Sequence, residues 1–306
     1  MTLRPLLASL VLALAPVPAC AALRVVTTTE DLAALASAVG GDLVEVEPIA
    51  RGYQDPHFVE AKPSYLLKLK RADLYVQVGL ELEVGWAPSL LTNARNPKIL
   101  PGNSGFLEAS EGCDILEKPT GAVDRSQGDV YPQGNPHYWL DPSNGRVIAQ
   151  HIAGRLAELD PGHAKEFSVN LARFEALLAE KEKEWEKTAA PLKGLKAVTY
   201  HRSWTSFAKR FGIEVVDFVE TRPGIPPSPS HLQALRARIR KDGVRLLIAE
   251  PYFDDKLPRK IAADTGVPFI VLPPSVGGDK AIGDYPALFD HALKLLADAL
   301  AAPAKT

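Results

Sequence analysis

The feature that most restricts the fold is an alternation that occurs twice, once on each side of a long polar helical run. Leu23–Thr29 (LRVVTTT) reads as a buried β-branched strand. A helix, DLAALASAVGG, follows; Asp31 is expected to cap it and Gly40-Gly41 to end it. Strands are expected over Leu43–Ile49 and Asp73–Gly79, and helices over Lys62–Lys70 and Leu82–Asn93. Residues 101–136 are rich in Gly, Pro, Ser and Asp and read as loop with one short strand. Helix resumes from near Ser143 to Leu159.

Residues 161–188 then carry a continuous helical pattern, which at 1.5 Å per residue would extend ~42 Å. Beyond it the alternation restarts, with strands at Lys196–Thr199, Glu214–Phe218, Arg245–Ala249 and Phe269–Leu272. Helices intervene at Ser203–Phe211, Ser230–Lys241 and Lys256–Thr265, and Tyr285–Leu300 closes the chain. Strand–helix alternation implies parallel sheets. The expected fold is therefore α/β, with two Rossmann-like lobes joined by one long rigid helix. The expected divisions are 22–160 for the N-terminal lobe, 161–190 for the linking helix and 191–306 for the C-terminal lobe. Ligands of open parallel sheets bind beyond the carboxyl ends of the strands, and two lobes can turn those ends toward one cleft.

The first residues read as an address. Arg4 precedes a short apolar run, Leu6–Val17, and then the small-residue site Ala19-Cys20-Ala21. That is the pattern of a secretory signal peptide over residues 1–21, which implies a periplasmic protein. Lipidation at Cys20 is the alternative use of this segment. A formal charge of −2 provides no basic field for nucleic acid. Two cysteines, Cys20 and Cys113, exclude both a disulfide framework and a four-cysteine zinc site.

That leaves histidine to carry any metal chemistry. His57 (QDPH), His137 (NPHYWLDP) and His201 (TYH) lie in loops or at strand ends, where an α/β cleft would form. Pro56 and Pro136 fix the backbone just before two of them, which lowers the ordering cost of binding. Neutral imidazole is a common ligand for Zn²⁺. His151, His163, His231 and His291 lie on or at the starts of expected helices and read as surface or packing residues.

These elements, in this order and spacing, resemble the zinc/manganese family of bacterial ABC-importer solute-binding proteins. The resemblance covers essentially the whole chain after the leader. It runs from VVTTTEDLAALASAVGGDLVEV through DPHFVEAKPSYLLKLKRADLYVQVGLELEVGW, NPHYWLDP and TYHRSWTSFAKRFG to PSPSHLQALRARIRKDGVRLLIAEPYF. It implies two α/β lobes on a rigid helix, and metal held by His57, His137 and His201. It also implies a partner, the cognate ABC permease of the inner membrane, and a monomer as the working form. In the family a glutamate often replaces the third histidine of manganese-type members. His201 therefore points to Zn²⁺ as the transported ligand rather than Mn²⁺.

The chain departs from the family at two places. The usual fourth ligand, an aspartate after the last strand, is matched by Pro273 in VLPP, which has no ligating side chain. Glu250, at the end of RLLIAE before Pro251, is the favoured replacement; Asp279 in the Gly-Gly loop and water are the alternatives. Glu60 and Asp141 are expected to support ligating imidazoles, and Glu220 is a further candidate carboxylate. Second, residues 117–135 contain no histidine, so the family's histidine-rich loop is absent or degenerate. Two other readings share the same residues: a zinc hydrolase with Glu250 as general base, and a surface adhesin on this fold. No HExxH, GxSxG or phosphate-loop motif supports the first.

Overall fold

The computed structural model describes residues 21–121, 131–220 and 224–301. The expected signal peptide and Cys20 lie outside these residues. No helix among the described residues is long and apolar enough to cross a membrane.

Two four-stranded, all-parallel sheets form the frame. The first contains β1 (Leu23–Thr27), β2 (Val44–Pro48), β3 (Leu74–Gln77) and β4 (Phe106–Glu108), in the order β2-β1-β3-β4. The second contains β5 (Lys196–Thr199), β6 (Glu214–Phe218), β7 (Leu246–Ala249) and β8 (Phe269–Val271), in the equivalent order β6-β5-β7-β8. The molecule is thus an α/β protein of two like lobes.

Strand residues alternate between faces, so each central strand serves two apolar layers. Val25, Leu74 and Val76 face the central core, while Val26 and Tyr75 face the outer layer under α2 (Pro63–Arg71) and α3 (Ala87–Ala94). Ala197, Leu246 and Ile248 join the same central core, while Val198 and Leu247 pack under α7 (Pro229–Asp242) and α8 (Lys256–Thr265). The central core is continuous between the lobes. It includes Leu32 and Leu35 of α1 (Glu30–Gly40), Ile148 and Ile152 of α4 (Pro142–Leu159), and Phe207 of α6 (Thr205–Phe211). Phe174, Leu178 and Trp185 of α5 (Ala164–Ala189) and Tyr285, Phe289 and Leu293 of α9 (Tyr285–Ala301) complete it.

The long helix α5 spans Ala164–Ala189, or ~39 Å at 1.5 Å per residue, after a short 3-10 turn at Pro161–His163. Two local expectations need correction. The cap of α1 is Thr29, whose hydroxyl accepts from the Leu32 amide at 3.3 Å. Asp31 instead reaches across the molecule, and its Oδ1 accepts from the Val276 amide at 2.9 Å. The helix expected from Leu82 begins only at Ala87. Gly79, Leu80 and Glu81 all have positive φ (82°, 52° and 66°), which turns the chain sharply after β3. The buried Glu83 carboxylate holds that turn by accepting from Val78 N (2.7 Å), Gly79 N (3.0 Å) and Thr28 Oγ1 (2.7 Å).

Candidate metal centre

Each candidate ligand sits just past a strand or in a pinned loop. His57 lies between β2 and α2, in a loop fixed from several sides. Its own amide donates to Asp55 Oδ1 (2.9 Å), and the Trp86 indole N–H donates to Pro56 O (3.0 Å). His137 lies in the connection from β4 to α4. The two residues after it anchor that connection to different lobes. The Tyr138 hydroxyl donates to Val78 O (2.7 Å), beyond β3, and the Trp139 indole N–H donates to Pro274 O (3.2 Å), beyond β8. His201 lies two residues past β5, and its carbonyl accepts from Thr199 Oγ1 at 2.7 Å.

The three imidazoles converge. Their ring centroids are 5.0, 5.2 and 5.2 Å apart, a nearly equilateral triangle, and the ring planes are inclined at 63–73° to one another. One nitrogen from each lies within 4.8 Å of the other two, and all three residues are buried. His57 Nε2 and His137 Nε2 are 3.1 Å apart. A tetrahedral ion with Zn–N bonds of about 2.0–2.1 Å needs its ligand nitrogens about 3.3 Å apart. The His201 Nε2 is buried with no hydrogen-bond partner.

The opposite nitrogen of every ring is engaged. His57 Nδ1 is 2.8 Å from the Tyr131 hydroxyl, His137 Nδ1 is 2.9 Å from Asn135 Oδ1, and His201 Nδ1 is 2.9 Å from Glu220 Oε2. Two of these contacts fix the tautomer. Glu220 as a carboxylate only accepts, so His201 carries its proton on Nδ1. Asn135 donates through Nδ2 to Glu117 Oε2 and to Arg202 O, both at 2.8 Å. Its oxygen therefore faces His137, whose Nδ1 must be the donor. In the neutral form of both rings the lone pair is then on Nε2, which is the atom a cation requires.

Electrostatics treat the three rings differently. Burial, then the neighbouring His201, holds the His57 pKa well below the ordinary range. Burial, then His57 and His201, does the same to His137. Both rings are neutral near pH 7. Burial alone would also lower His201, but the Glu220 hydrogen bond and the charges of Glu250, Glu220 and Asp55 outweigh it and leave the pKa raised.

Among the carboxylates considered from sequence, Glu250 immediately follows β7 and is 1% exposed, with the Ser203 hydroxyl beside it. Its pKa is raised by burial and partly offset by His201. It is not among the ligand atoms within 4.8 Å of one another. Glu220 supports His201 rather than joining that group. Asp279 is exposed and accepts from the Ala281 amide (2.8 Å). Glu60 is exposed, and Asp141 caps α4 by accepting from Ser143 N (2.8 Å); neither supports a ligand imidazole as Glu220 does. The imidazole supporters that sequence reasoning missed are Tyr131 and Asn135. Asn135 was visible beside Pro136 and His137, but its hydrogen bonds were not.

The remaining histidines lie elsewhere. His163 pairs with Asp160 (2.6 Å), His231 donates to Phe218 O (3.0 Å), and His151 and His291 sit on α4 and α9. Burial, then Asp141, pushes the Cys113 thiol up to about 12, far from thiolate chemistry.

Comparison with known proteins gives a consistent result. The family model described as zinc-uptake complex component A, periplasmic (ZnuA), matches residues 25–299. The metal ABC transporter substrate-binding lipoprotein ScbA of Streptococcus cristatus is 28% identical over 286 residues, covering 91% of this chain and 89% of that protein. The manganese ABC transporter substrate-binding lipoprotein PsaA of Streptococcus pneumoniae is 26% identical over 290 residues, with the same coverage. The crystal structure of a ZnuA deletion mutant with zinc bound superposes with a TM-score of 0.77 at 28% identity, covering 92% of this chain and 99% of that one. The family consists of substrate-binding transport proteins, so the hydrolase reading falls. The chain belongs to the ZnuA family of periplasmic metal-binding components of ABC importers.

Proposed function

We propose that this protein captures Zn²⁺ outside the inner membrane and delivers it to the permease of its ABC importer. His57, His137 and His201 are the ligands, each through Nε2, and Glu250, which lies outside that 4.8 Å group, is the fourth, anionic donor once it moves in toward the rings. The observation that carries this reading is the division of labour within the rings: each Nδ1 is held by a neighbour, while His201 Nε2 is buried with no partner. A buried polar atom without a partner costs about 1–3 kcal/mol, a cost that coordination removes.

Zinc rather than manganese is favoured by the donor set. Manganese suits carboxylate and water oxygens, and three imidazoles suit zinc. Pro273 stands where the resemblance expects an aspartate, which removes one oxygen donor. Glu250 is favoured as the anionic partner because a dication held by neutral imidazoles alone leaves its charge uncompensated. Glu250 is buried, and its charge raises the His201 pKa.

We further assign residues 22–160 and 191–306 to the two lobes and 161–190 to the link between them, with residues 1–21 as a signal peptide. A continuous core between the lobes favours small motions at the site over wide opening. Competitive titration of the purified chain with Zn²⁺ and Mn²⁺ tests the proposal. One tightly bound Zn²⁺, lost in His57→Ala, His137→Ala or His201→Ala, is expected; a preference for Mn²⁺ would overturn the metal assignment.

A further inference from the structure

Glu220 is 6% exposed, and its two oxygens have different jobs. Oε2 accepts from His201 Nδ1 at 2.9 Å, whereas Oε1 accepts from the Gly224 amide at 2.7 Å. The backbone makes this geometry firm. Val219 N donates to Thr199 O and Glu220 N to Tyr200 O, both at 2.9 Å, which extends the β5–β6 ladder until Glu220 lies beside His201. Gly224 has φ of +74°, a left-handed conformation that suits glycine and turns its amide back onto the carboxylate. Beyond Gly224 the chain runs through Ile225, 38% exposed, to Ser228, which caps α7.

We infer that Glu220 is a positioning residue that fixes His201 for the cation and couples cation binding to the order of the surface segment Gly224–Ser228. This rests on the metal site proposed above. A cation on Nε2 makes the Nδ1–H a stronger donor and draws the carboxylate toward the ring. The same carboxylate holds Gly224, so the segment tightens when the cation is bound. By reciprocity, a segment already held in place raises affinity for the cation. Occupancy of a buried ion then has an expression at the surface.

The test is hydrogen–deuterium exchange at the Gly224, Ile225 and Ser228 amides (Pro226 and Pro227 have none), with and without one equivalent of Zn²⁺, in the wild-type protein and in Glu220→Gln. Glutamine can still accept from His201 through its oxygen, but its NH₂ then faces the Gly224 N–H and the second bond is lost. In the wild type, zinc should slow exchange of this segment by roughly 5–150-fold, the usual span of such coupling. In Glu220→Gln the zinc-dependent slowing should vanish, and in Glu220→Ala zinc affinity should fall by about 10–100-fold. The wild-type measurement stands even if a variant folds poorly. Stoichiometric zinc binding with no change in exchange would overturn the coupling and leave the metal site intact, as would unchanged affinity in a folded Glu220→Ala. Failure of the wild type to bind zinc would overturn the site and the coupling together.

Discussion

The side-chain oxygen of Asn135 accepts two hydrogen bonds from one residue, His137: one from the backbone amide and one from Nδ1, both at 2.9 Å. The amide end of the same side chain is spent on Glu117 and on the Arg202 carbonyl, so Asn135 cannot turn over without losing four contacts. A single asparagine thus fixes the backbone, the ring plane and the tautomer of a candidate ligand. Asn135→Ala should weaken zinc binding about 10–100-fold. Its destabilisation should be about 1–3 kcal/mol, from the buried groups left unpaired. Metal competition titration and denaturant unfolding measure the two effects.

Trp86 acts on His57 at one remove. Its indole N–H donates to Pro56 O, and its position depends on the turn that Glu83 holds. Trp86→Phe keeps much of the ring packing and removes the donor. A stability loss of about 0.5–1.5 kcal/mol is expected. A smaller loss of zinc affinity than in His57→Ala should accompany it, read by the same competition titration.

Much of this architecture is legible in the sequence, and the parts that are not share a cause. Parallel strands buried on both faces appear as unbroken apolar runs such as RLLIA, and glycines mark helix ends at Gly212, Gly243 and Gly266. His57, His137 and His201 stand out because prolines and strand ends surround them. The late start of α3 is invisible to periodicity, since it follows from positive φ at Leu80 and Glu81 and from a carboxylate folding back. Asp31 looks like a cap because it opens a helix, yet its partner Val276 is 245 residues away. Glu220 is 19 residues from His201, a spacing without meaning until β5 and β6 pair.

The Asp31 contact has a pH signature. Burial pushes its carboxyl up to about 7 from 3.8, against the lowering effects of the Val276 amide and the Ser275 side chain. The folded state therefore holds this proton more tightly than the unfolded chain does. Its stabilising contribution is complete below the unfolded value near 4 and is lost as pH rises to about 7. Urea unfolding at pH 5 and pH 8 should show lower stability at pH 8. Asp31→Asn, which keeps an oxygen for the Val276 amide, should flatten this dependence.

Gly52 sits where two loops touch backbone to backbone. A Cβ there would lie 1.9 Å from Val276 O and 2.5 Å from Gly278 N. Neither neighbour is a flexible side-chain tip, so the loops themselves must part. Gly52→Ala should therefore cost at or above the upper end of the ~1–3 kcal/mol range for overpacking. Its thermal midpoint, compared with that of Gly154→Ala, where nothing lies within 4 Å of the added carbon, separates crowding from general glycine effects.

X-ray absorption at the zinc edge, on the protein loaded with one equivalent of Zn²⁺, tests the proposed coordination most directly. Three imidazole nitrogens and one oxygen at about 2.0–2.1 Å are expected, with one imidazole lost in His201→Ala and the oxygen shell altered in Glu250→Ala. A shell of oxygens without imidazole, or a sulfur at about 2.3 Å, would contradict it.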